Sequence, residues 1–321
     1  MSLYYYTAYN IALTIVSLYD TLLSTYTNLN MEINIIDKNN FKNTRLAPLL
    51  EIPEPPQKLY YQGQLPENNI PLLTVVGSRK YSTYGKQALE DILAGLKSYR
   101  VGIISGLAIG IDTLAHEAAL KHSLYTISIP GSGLSTKSLY PARNKSLAQK
   151  IITSGGCLLS EYEPEQKATK WSFPARNRLM AGLGDATLLI EATERSGTLI
   201  TARLATDYNK DVLVVPGSIY SEHTKGTHQF LKLGAYPVTC SQDIIDLLHL
   251  EKKSVQDSSD AQPSLFSEAE QAIVDTLVSA KNFDELQAYI NIDATKLSST
   301  LMKLELTGVI RCENGLYSKK I

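Results

Sequence analysis

From Leu72 onward the chain alternates short apolar runs rich in Val and Ile with longer stretches of helical periodicity. The runs are LLTVVGS, VGIISG, YTISIPG, CLLSEY, ATLLIEA and DVLVVPG, and AYPVTC closes the series. Runs that are apolar on both faces suit parallel strands covered by helices on either side. The alternation therefore predicts an α/β fold, an extended Rossmann-like doubly wound sheet, over residues 52–251. Ligands of such sheets bind outside the carboxyl ends of the strands, so the loops that follow the runs are where a site belongs.

The flanks read differently. Residues 1–51 are rich in Tyr, Leu, Asn and Thr and predict a short N-terminal helical segment that turns irregular. The opening MSLYYYTAYNIALTIVSLYD lacks a basic lead and is broken by tyrosines, Asn10 and Asp20, so it predicts a packed or interfacial helix and no membrane span. The prolines of IPEPPQKLYYQGQLPENNIP force extended backbone and turns at the entrance to the sheet domain. After it, EKKSVQDSSDAQPS has no apolar period and predicts a linker over 252–264. Residues 265–321 show three helical patterns and the strand-like RCENGLYSKK around Asn314-Gly315, the outline of a small winged-helix domain.

A formal net charge of −1 excludes a protein that coats nucleic acid through global positive charge. The distribution changes that picture. Ala118 to Ser160 holds five Lys or Arg and no Asp or Glu, and four more unopposed cations lie between Glu165 and Asp185. A segregated basic edge is expected. The three cysteines are far apart and form no CxxC or Cys/His pair, so neither a disulfide framework nor a metal site is expected, and a reducing cytoplasm is.

The loops carry the candidate chemistry. VGSRKYSTYG offers Gly77 for a tight turn, Ser78 for a hydroxyl and Arg79 for a fork of donors suited to phosphate. SGLAIGIDTLAHEAAL turns through Gly106 and Gly110 into a helix with Asp112 as its expected N-cap. The small residues would either let backbone N–H groups approach an anion or simply allow close packing. GSGLSTKSLYPARNKSLAQK couples a Gly/Ser turn to Arg143, Asn144 and Lys145, and SFPARNR places Arg176, Asn177 and Arg178 beside Trp171. In EATERSGTLITARLA, Ser196, Gly197 and Thr198 open a helix, where the hydroxyls cap it, bind phosphate, or do both.

Together the loops are expected to bring Arg79, Arg143, Lys145, Arg176, Arg178 and Arg195 to one edge. Neither GxGxxG nor GxxxxGK[ST] occurs, so a dinucleotide or triphosphate site has no signal. Repeated phosphate contacts beside Tyr81, Tyr84, Tyr140, Trp171 and Phe173 fit a polymer with unpaired bases better. Asp112 and His116 share a helix face, and Glu161, Glu163 and Glu191 sit near strand ends, free to act as acids or to pair with the arginines. With no activated nucleophile, no HExxH and no metal cluster, no catalytic residue, enzyme activity or cofactor is expected.

VGSR, SGLAxGIDxxAHxxAL, GSGL…YPxxN, SEY, FPARNRLMAGL, SGTLITA, VVPG and GxxxxLKLGA resemble, in order and spacing, the DNA-processing protein A family (DprA, also called Smf) over residues ~52 to ~250. The resemblance implies a Rossmann domain that binds single-stranded DNA, forms a homodimer and helps load the RecA recombinase onto DNA that enters the cell in natural transformation. It maps Ser78 and Arg79 onto a phosphate-contacting turn, and the YPxxN region with Lys145 onto a second basic contact. Arg176, Asn177 and Arg178 fall in the FPxRNR motif, and Gly106, Gly110, Ser196, Gly197 and Thr198 in loops lining the same pocket. His228 stands where the family usually has Asn, and residues 1–51 lack a clear helix-hairpin-helix glycine signature. A nucleotide-binding hydrolase of the phosphoribohydrolase type is the alternative, but its PGGxGTxxE motif is missing.

Overall fold

The computed structural model describes residues 32–253 and, further on, 273, 276–277, 281–290, 293–306, 309–313 and 315–319. The chain divides into two compact units, Met1–Lys253 and Ser254–Ile321. The expected helix at the start of the chain and most of the expected linker lie outside the described residues.

The first unit is built on nine strands: β1 Asn34–Asp37, β2 Lys58–Gly63, β3 Leu72–Val76, β4 Gly102–Ser105, β5 Tyr125–Ser128, β6 Cys157–Ser160, β7 Ala186–Leu189, β8 Asp211–Val214 and β9 Tyr236–Pro237. Their order is β1-β2-β6-β5-β4-β3-β7-β8-β9. From β6 to β9 neighbouring strands are parallel, as the apolar runs predict. The chain lays β4, β5 and β6 successively to one side of β3 and then returns to place β7, β8 and β9 on the other. The order thus reverses between β3 and β7, the place where open α/β sheets open a crevice.

Helices α1 Thr83–Gly95, α2 Ile111–Lys121, α3 Lys145–Thr153, α4 Ser172–Leu183, α5 Thr198–Asp207, α6 Lys225–Lys232 and α7 Ser241–Leu247 cover the sheet. Successive strand residues point to opposite faces. Val76, Ile104, Ile127 and Leu189 therefore enter one core with Met180, Ala202 and Phe230, while Val75, Ile103 and Leu188 enter another with Leu93, Ala115 and Ile244.

Residues 32–51 were expected to stand apart from the sheet, and the structure corrects this. β1 pairs antiparallel with β2, and β2 pairs antiparallel with β6, which extends the parallel sheet at that side. The two 3-10 turns that follow, Lys38–Asn43 and Ala47–Leu50, drive Phe41, Leu46 and Leu49 fully into the core under α4. Burying three such side chains supplies about 1.5–3 kcal/mol each, which ties this stretch to the sheet.

The second unit contains α8 Phe283–Ile290, α9 Ala294–Leu306 and an antiparallel pair, β10 Ile310–Glu313 with β11 Leu316–Lys319. Leu286, Leu297, Leu301, Leu304 and Ile310 form its core with Ile273 and Leu277. The first of the three expected helical patterns lies largely outside the described residues. Among the described residues no helix is long and apolar enough to cross a membrane.

Candidate functional site

β3 ends at Val76, and the chain turns through Gly77, Ser78 and Arg79 over the start of α2. Ile111 N–H donates to the Ser78 carbonyl at 3.1 Å, and Thr198 Oγ1, at the start of α5, donates to the Gly77 carbonyl at 2.9 Å. Gly110 is required here: its φ is +102°, and a Cβ would stand 2.4 Å from the Ser78 carbonyl oxygen and 2.6 Å from Arg79 Cα. The turn is held from both sides, which fixes where the Arg79 side chain begins. Its guanidinium lies 5.8 Å from the centroid of the Phe173 ring, and that ring lies 5.6 Å from the Tyr140 ring.

These groups border an open pocket of about 520 Å³ at the point where the strand order reverses. Ser78, Arg79, Lys80, Asp112, Phe173, Arg176, Asn177, Ser196, Gly197, Thr198 and His223 are among its lining residues, and Gly106 and Tyr140 line a small adjoining recess. Arg79 and Lys80 are exposed, and neither pairs with a carboxylate among the described residues.

The floor is a buried charged cluster. Arg176 is only 5% exposed. Its Nη1 donates to the carbonyls of Gly106, at 2.6 Å, and of Ile129, and its Nε donates to Asn177 Oδ1 at 3.2 Å. Gly106 is needed for this close approach, because a Cβ there would stand 2.3 Å from Arg176 Nη1. Burial lowers the guanidinium to about 10 against the support of the nearby Asp112 charge. Burial likewise pushes the Asp112 carboxyl up, while Arg176 pulls it down. His116, behind them, places Nδ1 2.8 Å from Thr126 Oγ1, and burial depresses its imidazole to about 3.

Several expectations change here. Asp112 is not the N-cap of α2: Gly110 takes that place, and Asp112 sits in the first turn, accepting from Ala108 N–H at 3.4 Å. Of the six cations expected to converge, Arg79 and Arg176 line the pocket, joined by Lys80. Arg178, 14% exposed at its side chain, turns away to pair with Glu161. Arg143, Lys145 and Arg195 are exposed and outside the lining, and Asn144 is buried, its amide donating to the Leu107 carbonyl and to Thr113 Oγ1 at 2.8 Å each. Gly197, not a hydroxyl residue, is the N-cap of α5, with Ser196 Oγ accepting from Thr198 N–H at 3.2 Å.

The three glutamates left open as acids or bases all have partners. Glu161 holds Arg178, Glu163 holds Lys58 at 2.7 Å, and buried Glu191 accepts from Ser82 N–H at 2.8 Å and Ser82 Oγ at 2.5 Å. His228 Nε2 stands 3.2 Å from the Gly217 carbonyl. Lys80 and His223 were missed as lining residues. His223 lies in the loop after β8, with no motif around it, and its buried Nδ1 has no partner among the described residues.

An open α/β sheet with a cationic, aromatic-edged pocket at its reversal point defines a Rossmann-like domain with its candidate site at the carboxyl ends of the strands. The chain belongs to the DNA recombination-mediator protein A family, whose model matches residues 33–249. It is 43% identical over 197 residues to the DNA processing protein DprA of Streptococcus pneumoniae, covering 61% of this chain and 68% of that one. It is 33% identical over 283 residues to the protein Smf of Escherichia coli, covering 84% and 73%. A solved structure of DNA processing protein A from Helicobacter pylori, described as revealing a unique single-stranded DNA binding mode, superposes with a TM-score of 0.59 at 29% identity, covering 68% of this chain and 96% of that one.

Proposed function

We propose that this protein binds single-stranded DNA, with the sugar-phosphate backbone in the pocket between the turn after β3 and the starts of α4 and α5. The observation that carries this reading is the unpaired guanidinium fork of Arg79, fixed by the Gly110 turn and set over the Phe173 ring. A planar fork of donors suits phosphate, and an aromatic face accepts an unpaired base whatever its identity. The single-stranded DNA binding named for the Helicobacter pylori relative supports the reading.

In this function the protein shields incoming DNA and helps load the RecA recombinase during natural transformation. It works in the cytoplasm as a homodimer and performs no catalysis. The helices and strand pair of the second unit form a winged helix. With Asp293 and Glu305 against Lys296 and Lys303 around α9, that unit serves protein contact or dimer support rather than duplex reading.

The test is fluorescence anisotropy with labelled single-stranded and duplex oligonucleotides at several salt concentrations, using the intact protein and Arg79→Ala. The expected result is a single-strand preference that weakens with salt and with loss of Arg79. No binding, or equal duplex binding that Arg79→Ala leaves untouched, overturns the reading. Base release from a nucleotide would favour the phosphoribohydrolase alternative.

A further inference from the structure

We infer that the indole of Trp171 is a second stacking station for an unpaired base, outside the pocket at the start of α4. A strand whose phosphate occupies the pocket then runs past Phe173 and across Trp171. The inference rests on the single-stranded DNA reading and adds a contact and a path to it.

Trp171 is the only tryptophan of the chain and is 84% exposed. Looseness does not explain that exposure, because the backbone on both sides of it is pinned. Ser172 Oγ donates to the Gly131 carbonyl at 2.6 Å, Thr169 N–H donates to Ser172 Oγ at 2.9 Å, and Ser172 N–H donates to Thr169 Oγ1 at 3.2 Å. Tyr162 Oη donates to the Ser172 carbonyl at 3.1 Å. The indole itself makes no ring contact and no hydrogen bond among the described residues. A rigid base thus presents a bare aromatic face to solvent, two residues before the Phe173 ring that meets Arg79.

Charge selects the occupant. Lys167 and Lys170, in the segment that leads into Trp171, are exposed, and neither pairs with a carboxylate among the described residues. An apolar protein partner would seek further apolar side chains around the ring, whereas these neighbours favour a polyanion that carries flat π faces. A single strand has both; a closed duplex hides its bases.

Because no other tryptophan contributes, emission excited at the red edge, where tyrosine does not absorb, reports on this position alone. Oligothymidines of about 5 and about 15 nucleotides, bracketing typical single-strand footprints, are titrated with emission and anisotropy read together. The longer oligomer is expected to quench the emission, and Trp171→Ala to weaken its binding about tenfold, with Trp171→Phe retaining most of the affinity. A duplex of the same length leaves the emission unchanged. Tight anisotropy binding with unaltered emission, together with wild-type affinity in Trp171→Ala, would overturn the stacking station while leaving the pocket reading intact. Absence of any anisotropy change with the wild-type chain would overturn both.

Discussion

Two strand-end loops of this protein read alike and do different work. GSRK, residues 77–80, and PARNK, residues 141–145, each set small or turn-forming residues beside exposed cations at the same edge of the sheet. In the first, a glycine from the neighbouring loop holds the turn so that Arg79 projects over Phe173 into an open pocket. In the second, the asparagine is driven inward to bridge Leu107 and Thr113, and the flanking Arg143 and Lys145 stay outside the pocket lining. The difference lies underneath. The first loop stands over a buried Arg176 with Asp112 and His116, the second over a neutral amide that satisfies neighbouring polar groups. Composition announces that a loop carries cations; only the packing beneath decides whether they face a ligand.

The sharpest way to break the comparison is to remove the charged floor. Arg176→Ala leaves the carbonyls of Gly106 and Ile129 without their donor and Asp112 without its nearby counter-charge. Loss of one partner from a buried charged cluster costs about 3–5 kcal/mol, so urea unfolding should show a large drop in midpoint. Arg176→Lys should recover little, since an ammonium cannot reproduce the fork that reaches both carbonyls. If Arg176→Ala instead keeps full stability and loses only DNA binding, Arg176 is a ligand contact and the floor is not structural.

The floor should also be the pH-sensitive side. His116 has an ordinary value of 6.5 and a folded value of about 3. Below 6.5 the unfolded chain takes up a proton that the folded chain refuses. Its contribution to stability is therefore present above 6.5 and lost as pH falls toward about 3, at about 1.4 kcal/mol per pH unit where the full proton difference applies. Asp112, with its carboxyl raised by burial, acts in the opposite sense: its contribution is fullest at low pH and weakens as pH rises. Chemical denaturation of wild type and His116→Gln across this window separates the two, and an unchanged slope in the variant would remove His116 from the account.

On the second loop the corresponding change is smaller. Asn144→Ala strands the Leu107 carbonyl, while the Thr113 hydroxyl keeps its bond to the Ala108 carbonyl, and should cost about 1–3 kcal/mol in a thermal or urea melt. Affinity for single-stranded DNA should stay within about twofold once the fold is intact, because Asn144 is absent from the pocket lining. A loss of binding without a loss of stability would make Asn144 a ligand contact after all.

How far the sequence carries depends on which physical signal each feature writes into it. The parallel strands β3 to β8 are legible because burial on both faces demands near-continuous apolar runs such as Leu72–Val76, interrupted only by the buried Thr74. β1 and β2 are not, because they extend the sheet in antiparallel fashion with mixed composition: NIID, and KLYYQG behind a cluster of prolines. The sequence places Gly106 and Gly110 in the loop before α2, but which atoms they make room for, the Arg176 guanidinium and the Ser78 carbonyl, comes from distant segments. The same distance hides the fate of Arg176 and Arg178, since their partners, Gly106, Ile129 and Glu161, lie 17 to 70 residues away. His223 writes no signal at all: a histidine in a polar loop becomes a pocket residue only through the fold.

On the ligand side of the comparison, Arg79→Ala should leave stability within about 0.5 kcal/mol, as expected of an exposed side chain with no protein ion pair. It should weaken single-strand binding about tenfold and reduce the slope of log affinity against log salt by roughly 0.7, the signature of one lost phosphate contact. A weaker affinity with an unchanged slope would mean that Arg79 acts through Phe173 rather than on phosphate.

The smallest effects belong to Arg143 and Lys145. Both are exposed, outside the pocket lining and unpaired with carboxylates among the described residues, so their removal leaves no buried group unsatisfied and stability should not move measurably. They still stand in a loop at the same carboxyl-end edge of the sheet as the pocket, and at 0.15 M salt a charge acts over about 8 Å. Alanine at either position should therefore weaken binding of a long oligonucleotide about two- to threefold at low salt and not at high salt, with a pocket-length oligonucleotide unaffected. An effect as large as that of Arg79→Ala, on short and long strands alike, would show that the two loops differ less than their packing implies and that this loop closes over the strand when DNA binds.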